Sequence, residues 1–406
     1  MQRRLEVAGG GIAGLTAGLA FARKGWSVRV HEQDDQLRIP GAGIYIWENG
    51  LRVLETLGVL EAVSTGAIPA TRHEKRDHDG RVLASAGFSP ESRLIVPLRR
   101  TLLTALADAL IAAGGEIAFG SRPIGATAGG RLIFADGSSE QADLVIGADG
   151  INSRVRDSLD LLAWRRPARQ FGYRIMIPRR PGELETATGR AHCENWNGSR
   201  RLLYAPCTAD EANVQLTSVA GDPRGNSVPV DRALWHSLFP HLGWIIDRIR
   251  DDGRGDWFET LRLHDWSKGR VAIIGDAASA QPPFLGQGGG CSMMSALSLA
   301  SMVDREGDVL RGIDAWKRRE RRFTEWVQTV AWWYGQLAFM PASIRNATFR
   351  LIDVSPKLKR RTVAVAAMRI PTGTEGTARA GRAAWQPLPD AAERAVGIHS
   401  DMETTP

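Results

Sequence analysis

The fold turns on a stretch near the N-terminus, Leu5-Glu6-Val7-Ala8-Gly9-Gly10-Gly11-Ile12-Ala13-Gly14. A short apolar run ends in three glycines and passes into Ile12, Leu15, Leu19 and Phe21 at helical spacing, which reads as strand, tight turn and helix. After Lys24 and Gly25, Val28 and Val30 alternate along residues 27–31 as a second strand would, completing a βαβ unit. The glycines follow Gly9-x-Gly11-x-x-Gly14. The first permits the turn, the second lets backbone N–H groups approach a pyrophosphate at the helix N-terminus, and the third allows helix and strand to pack closely. Ala13 belongs to the same loop, and Glu32 stands where an acid would accept ribose hydroxyls. A purely structural glycine turn is the competing reading, and the loop alone does not separate one dinucleotide from another.

Working outward, 406 residues suffice for two or three structural units, and a chain with 24% charged and 7% aromatic residues has the composition of an ordinary globular protein. The formal charge of +7 suits anionic small molecules or simple solubility. Lys317, Arg318, Arg319, Arg321 and Arg322, interleaved with Glu320 and Glu325, read as a solvated helix face, and no nucleic-acid recognition motif accompanies them. Cys193, Cys207 and Cys291 lie in no metal-ligand or redox spacing, and His192 beside Cys193 lacks companions, so no metal is expected. This cysteine usage fits a reducing cytoplasm. The N-terminal residues leave no room for a signal peptide, and the apolar stretch 330–340 is too short to cross a bilayer.

Two further apolar runs, 144–147 and 271–275, end in glycine with aspartate close behind, as buried parallel strands of the same sheet would. Residues 171–178, 201–204 and 214–219 read instead as strands of a second, more polar sheet. The expected class is α/β. A Rossmann-like dinucleotide domain is built from residues 1–73, 98–163 and 262–312, with a β-sheet substrate domain (74–97 and 164–261) inserted into it. A helical segment follows at 313–371, and residues 372–406 form a loosely ordered tail. Trp316, Trp326, Trp332 and Trp333 on the helical segment read as packing residues.

Two later motifs choose the cofactor. Asp149-Gly150-x-x-Ser153-x-x-Arg156 follows the 144–147 run, and Gly275-Asp276-Ala277-Ala278 leads into Pro283-x-x-Gly286-x-Gly288. With the N-terminal loop, these resemble the class A flavoprotein aromatic hydroxylases, which have the para-hydroxybenzoate hydroxylase fold. The resemblance implies FAD as cofactor, with NADH or NADPH as a transient electron donor. It sets Asp276 against the ribityl chain and Pro283, Gly286, Gly288 and Gly289 beside the isoalloxazine. It also assigns Arg38, Arg99 and Asp149 to the cofactor set.

Residues 41–55, with Tyr204-Ala205-Pro206-Cys207 and the stretch 222–229, are similar to one branch of that family, the 2-methyl-3-hydroxypyridine-5-carboxylic acid and 5-pyridoxate oxygenases. That likeness implies dioxygen and a small aromatic acid as partners, a 3-hydroxypyridine carboxylate whose ring is hydroxylated and opened. It places Tyr45, Arg174, Arg201, Tyr204 and Pro283 at the substrate; a guanidinium suits a planar carboxylate. Departures are Asn213 in place of a substrate-site tyrosine, Ser279 in place of the family's frequent histidine, and Met294-Ser295 in place of an acidic pair. No acid–base residue stands out, and an ionised 3-hydroxypyridine needs none. Simple hydroxylation of a benzenoid acid such as a salicylate, and a flavin-binding protein without oxygenase activity, are the alternatives. A homo-oligomer is left open.

Overall fold

The computed structural model describes residues 2–37, 42–89, 92–361 and 367–375. Arg38 and residues 376–406 of the expected tail lie outside the described residues. A six-stranded sheet runs in the order Ser267–Lys268, Val271–Ile273, Leu144–Gly147, Arg4–Ala8, Ser27–His31, Glu116–Ala118. Its strands pair in parallel except at the Ser267–Lys268 edge, and Val7 sits opposite both Ile146 and Val30. Parallel strands are covered on both faces, which explains the unbroken apolar run of Leu144–Gly147.

Helix Ile12–Ala22 is buried at every position, beyond the one-sided pattern expected of its apolar spacing. It packs between helices Arg99–Ala112 and Gly288–Glu306. Close approach is built in at Gly18, where an added Cβ would stand 2.9 Å from Val30. A three-stranded meander, Pro123–Thr127, Arg131–Phe134 and Ser139–Gln141, appears only in the structure.

The second sheet has seven strands, ordered Arg254–Leu263, Leu162–Pro178, Glu211–Val219, Arg200–Pro206, His192–Asn197, Arg72–Arg76, Val82–Gly87. Side chains alternate between its faces. Phe171, Tyr173, Ile175, Leu202, Tyr204, Val214 and Leu216 pack on one face under Trp235, Phe239 and Ile245. The register sends Arg174, Leu203, Asn213 and Gln215 to the other face. His73 pairs with His192 and Lys75 with Glu194 on that same face.

Helix Val309–Gln336 closes the structure across both sheets, and Gly335 lets it lie against the turn Pro283–Leu285, since a Cβ there would come within 2.6 Å of Phe284. Trp316 is buried against Trp266, ring centroids 5.5 Å apart, whereas Trp333 is exposed. Thr372 and Thr374 are buried, so packed chain extends past the expected start of the tail.

Candidate active site

The glycine loop is shaped by contacts that exclude side chains at two positions and leave a third open. Gly9 has φ +105, and a Cβ there would stand 2.5 Å from the Ala148 carbonyl oxygen; at Gly14 it would lie 1.9 Å from the Gly9 carbonyl oxygen. Gly11 caps the helix with no side-chain hydrogen bond, and nothing lies within 4 Å of its Cβ position. The first turn's N–H groups therefore face open space, as a pyrophosphate requires. Glu32 Oε2 accepts from the Gly10 N–H at 3.0 Å and Oε1 from the Asp34 N–H at 3.2 Å, which holds the carboxylate at the loop with lone pairs to spare. Glu32→Ala is expected to weaken FAD binding by about tenfold or more, since hydrogen bonds to charged groups contribute about 1.5–3 kcal/mol. Flavin fluorescence titration of the apoprotein measures it.

Asp149 turns inward. Its carboxylate accepts from Ser153 Oγ at 2.5 Å, the Arg154 N–H at 2.8 Å and the Val155 N–H at 3.2 Å, building the turn into the helix Arg154–Ser158. Burial raises its pKa, with those hydrogen bonds opposing. Arg156, also buried, donates from Nη1 to the Ile151 carbonyl at 3.0 Å and the Ala277 carbonyl at 3.3 Å, tying the Asp-Gly loop to the Gly-Asp loop. Ala148, Gly150 and Ile151, next to Asp149, line the cavity.

Asp276 opens the short helix Asp276–Ser279 and presents its carboxylate to the cavity. The surrounding protein raises its pKa, and the Arg99 and Arg174 guanidiniums oppose that rise. The carboxylate is exposed to the cleft and takes no hydrogen bond from the described residues, which leaves it open to accept from ribityl hydroxyls. Gly275, at φ +63, lets the loop approach Ala13, whose Cβ would be 2.7 Å from an added one. Gly286, at φ +60, likewise accommodates Tyr45, and nothing lies within 4 Å of the Gly288 Cβ position. Gly288 and Gly289 begin the helix Gly288–Glu306, so donors and open space again meet. These features fit FAD: two open glycine cradles and one acid open to the cleft without a partner among the described residues.

The cleft encloses about 430 Å³. Gly11, Ala13, Arg99, Asp276, Pro283, Gly286, Gly288 and Gly289 line one side, and Tyr45, His73, Lys75, Arg174, Glu194, Asn213 and Gln215 the other. Tyr45 Oη, Trp47 Nε1 and Gln215 Nε2 are buried and have no hydrogen-bond partner among the described residues. Burial, with Glu194 next in effect, pushes the Tyr45 phenol well above its ordinary value, so it remains a neutral donor.

Glu194 is the centre of a buried cluster. Oε1 lies 3.0 Å from His73 Nε2, while Oε2 accepts from Arg201 Nη1 at 3.1 Å and from the Tyr334 hydroxyl at 3.2 Å. Burial would raise its pKa, but His73 and Arg201 outweigh that and hold the carboxylate far below the usual range. Arg201, 1% exposed, also donates to Thr217 and lies over the Phe284 ring. It stands behind the cleft wall, its charge already matched by Glu194. Arg174 does line the cleft, and it is ion-paired with Asp256, which Arg254 shares.

Tyr204 faces away. Its hydroxyl donates to Glu183 and its ring meets Trp244 edge-on at 5.7 Å. Arg201 and Tyr204 are three residues apart on one strand, so alternation sends them to opposite faces. Sequence reasoning missed His73, Glu194 and Tyr334, which only the pairing of distant strands and the last long helix bring together.

A second chamber of about 280 Å³ adjoins the cleft, sharing Trp47, His73 and Lys75 with it, and is walled mainly by apolar groups including Ala84, Phe88, Ile352 and Met368. Among the described residues, only Asp77, His78 and Asp79 bring three potential metal ligands within 4.8 Å of one another, and none of them lines the cleft. No described helix is long and apolar enough to cross a membrane.

A family model described as an FAD binding domain matches residues 4–172. The chain is 39% identical to a putative 2-heptyl-3-hydroxy-4(1H)-quinolone synthase of Rhodococcus erythropolis, over 91% of this chain and 97% of that one. It is 40% identical to a 2-heptyl-3-hydroxy-4(1H)-quinolone synthase of Mycobacteroides abscessus, over 84% of this chain and 92% of the relative. Among solved structures it is similar to the tetrameric form of 2-methyl-3-hydroxypyridine-5-carboxylic acid oxygenase, with a TM-score of 0.81 and 35% identity over 91% of this chain and 96% of the other.

Proposed function

Because the chain belongs to the class A FAD-dependent monooxygenases, we propose that it hydroxylates a neutral, alkylated nitrogen heteroaromatic. The substrate class is a 2-alkyl-4(1H)-quinolone, oxidised at the ring carbon between the alkyl arm and the ring oxygen. The observation that carries this reading is the state of the two expected carboxylate receptors: Arg174 is paired with Asp256 and Arg201 with Glu194. Guanidiniums already neutralised by protein carboxylates give an acid substrate little advantage, and a desolvated acid without a partner is costly. The apolar chamber beyond Trp47 and His73 supports an alkyl arm, and the two quinolone synthases are full-length relatives. An apolar cavity of about 150 Å³ holds a benzene-sized group, so a chamber of about 280 Å³ suits a longer chain.

The chemistry that bound FAD would supply is acceptance of hydride from NADH or NADPH and activation of dioxygen. The chain's own residues bind and orient. Gly9, Gly11, Gly14 and Glu32 would hold the dinucleotide end, and Asp276 would accept from the ribityl chain. Tyr45 Oη, Trp47 Nε1 and Gln215 Nε2 offer unpaired donors to a ring oxygen. Phe284, Leu285 and Tyr334 keep water from the ring.

A second reading has its own observation. Asp256 serves both Arg174 and Arg254, leaving a surplus positive charge at the cleft, which favours a pyridine carboxylate whose ring is hydroxylated and opened. The likeness to the pyridine-carboxylate oxygenase supports that reading, and its tetramer supports homo-oligomerisation here. Substrate-stimulated NADH oxidation should separate the two, using 2-heptyl-4(1H)-quinolone, a 3-hydroxypyridine-5-carboxylate and salicylate. The expected result is stimulation by the quinolone and a product heavier by one oxygen with its rings intact. Stimulation by the pyridine acid alone, with both atoms of labelled dioxygen in an opened product, would overturn the first reading in favour of the second. Turnover of salicylate alone would sink both.

A further inference from the structure

We propose that His73 is the base that removes the ring N–H proton of the substrate, with Glu194 as its positioning residue; this rests on the heteroaromatic reading above. His73 stands on the strand Arg72–Arg76 and lines both the cleft and the apolar chamber. A ring in the first space with its arm in the second must pass this imidazole. Nε2 lies 3.0 Å from Glu194 Oε1 in a close ion-pair contact whose angle falls short of a hydrogen bond, and Glu194 is held ionised by His73 and Arg201, so the facing carboxylate favours the tautomer with its hydrogen on Nε2. Nδ1 is then the acceptor left for a ligand.

The groups around the imidazole keep it neutral. Lys75 lies two residues along the same strand, Glu194 and Arg201 come from the two strands beyond, and the Trp47 ring meets it edge-on at 6.3 Å. Burial, then Lys75, lowers its pKa below 6.5, with Glu194 opposing, and a neutral imidazole is the form that accepts a proton. Other titratable groups at the cleft are less suited. The phenols of Tyr45 and Tyr334 are pushed well above their ordinary value, mainly by burial, and Glu194 is held too acidic to accept a proton readily. Asp256 and Glu259 are engaged by Arg174, Arg254 and Arg165, and Asp276 lies on the flavin side. His192, behind Tyr45, is driven down to about 3 by burial and does not line the cleft.

The step balances without a further reactant. The ring N–H bond breaks, its electron pair passes into the ring and raises electron density at the carbon to be oxygenated, and an N–H bond forms on His73 Nδ1. The imidazolium so formed sits against the Glu194 carboxylate, which stabilises the charge.

The test compares wild type with His73→Gln, whose amide N–H can still donate to Glu194 but cannot accept the proton, in the FAD-loaded protein. Retained FAD, a quinolone-induced flavin spectral shift within about threefold in affinity, and product formation slower by about 100-fold are expected. With the N-methylated quinolone no proton is available to remove, so wild type and variant should turn it over at the same low rate. A purely structural role for His73 would slow both substrates alike and would overturn the proposal. So would a variant within about threefold of wild type on the N–H quinolone, or loss of FAD from both His73→Gln and His73→Asn. If wild type oxidises only the pyridine carboxylate, the quinolone reading fails separately, and the same comparison on that substrate's ring hydroxyl and its O-methyl ether decides His73. If wild type oxidises neither ring, both proposals fall.

Discussion

Gly14→Ala is expected to give a colourless protein that binds no FAD and unfolds more readily even without it. The added Cβ would sit 1.9 Å from the Gly9 carbonyl oxygen, and the atom it meets is backbone of the turn itself. No side chain can swing aside to make room. Either the helix Ile12–Ala22 shifts off the strand Arg4–Ala8 or the turn opens, and the helix is buried on all sides between two others. Overpacking of this kind costs on the order of 3 kcal/mol. Losing a cofactor held at about a thousand times its Kd removes about 4 kcal/mol more. Gly11→Ala separates the two effects, because its Cβ would meet nothing within 4 Å among the described residues. That variant should unfold like wild-type apoprotein yet lose FAD, because the methyl would stand where the pyrophosphate approaches. Flavin absorbance per chain and urea unfolding of both apoproteins measure this. A yellow Gly14→Ala protein with wild-type flavin content would refute it.

That loop was readable from sequence because its signals are local. Strand, glycines, helix and Glu32 all fall within the first βαβ unit, and each constraint acts between near neighbours. The Gly-Asp and Pro-x-x-Gly-x-Gly segments are similarly compact, and the structure brings Asp276, Gly286 and Gly288 to the same cleft as Gly11. What sequence could not resolve is which face of a strand a residue uses when its register is unknown. The resemblance places Arg201 and Tyr204 in one pocket, yet alternation sends Tyr204 to Glu183 and Arg201 to Glu194. Asp149 matches a cofactor motif, but its carboxylate is spent on its own turn. A motif records a residue type at a spacing; it does not record what has already neutralised the charge. For the same reason an arginine in the sequence does not by itself mark a carboxylate site: Asp256 and Glu194, distant in sequence, stand beside the two arginines in the fold.

Glu194→Gln is expected to cost about 3 kcal/mol at pH 7, the lower end of what breaking a buried ion pair costs. The amide keeps the shape of the carboxylate and removes its charge. Arg201, 1% exposed, would then be a buried cation facing Thr217 and the Phe284 ring without a counter-ion. The pH dependence identifies the cause. The folded-state pKa of Glu194 lies far below the ordinary 4.5, so its contribution is fully present above pH 4.5 and is lost as pH falls through the folded value. The stability gap between wild type and variant should therefore be present at pH 7, widen below pH 6.5 as the further-depressed His73 of the variant titrates, and narrow below about pH 4.5 as Glu194 is protonated in wild type. A second acid-sensitive group remains in both proteins. His192 is depressed from 6.5 to about 3 by burial, so the unfolded chain binds its proton first and stability falls in both as pH drops below 6.5. The variant also removes the main group that raises the His73 pKa, leaving burial and Lys75 to lower it further. Its residual hydroxylation should consequently keep its activity to lower pH than wild type, because His73 stays neutral further into the acid range. Urea midpoints across pH 4–7 check the stability claim. A gap that stayed constant below pH 4.5, or one absent at pH 7, would show that Glu194 is not the charge that holds Arg201 in the sheet.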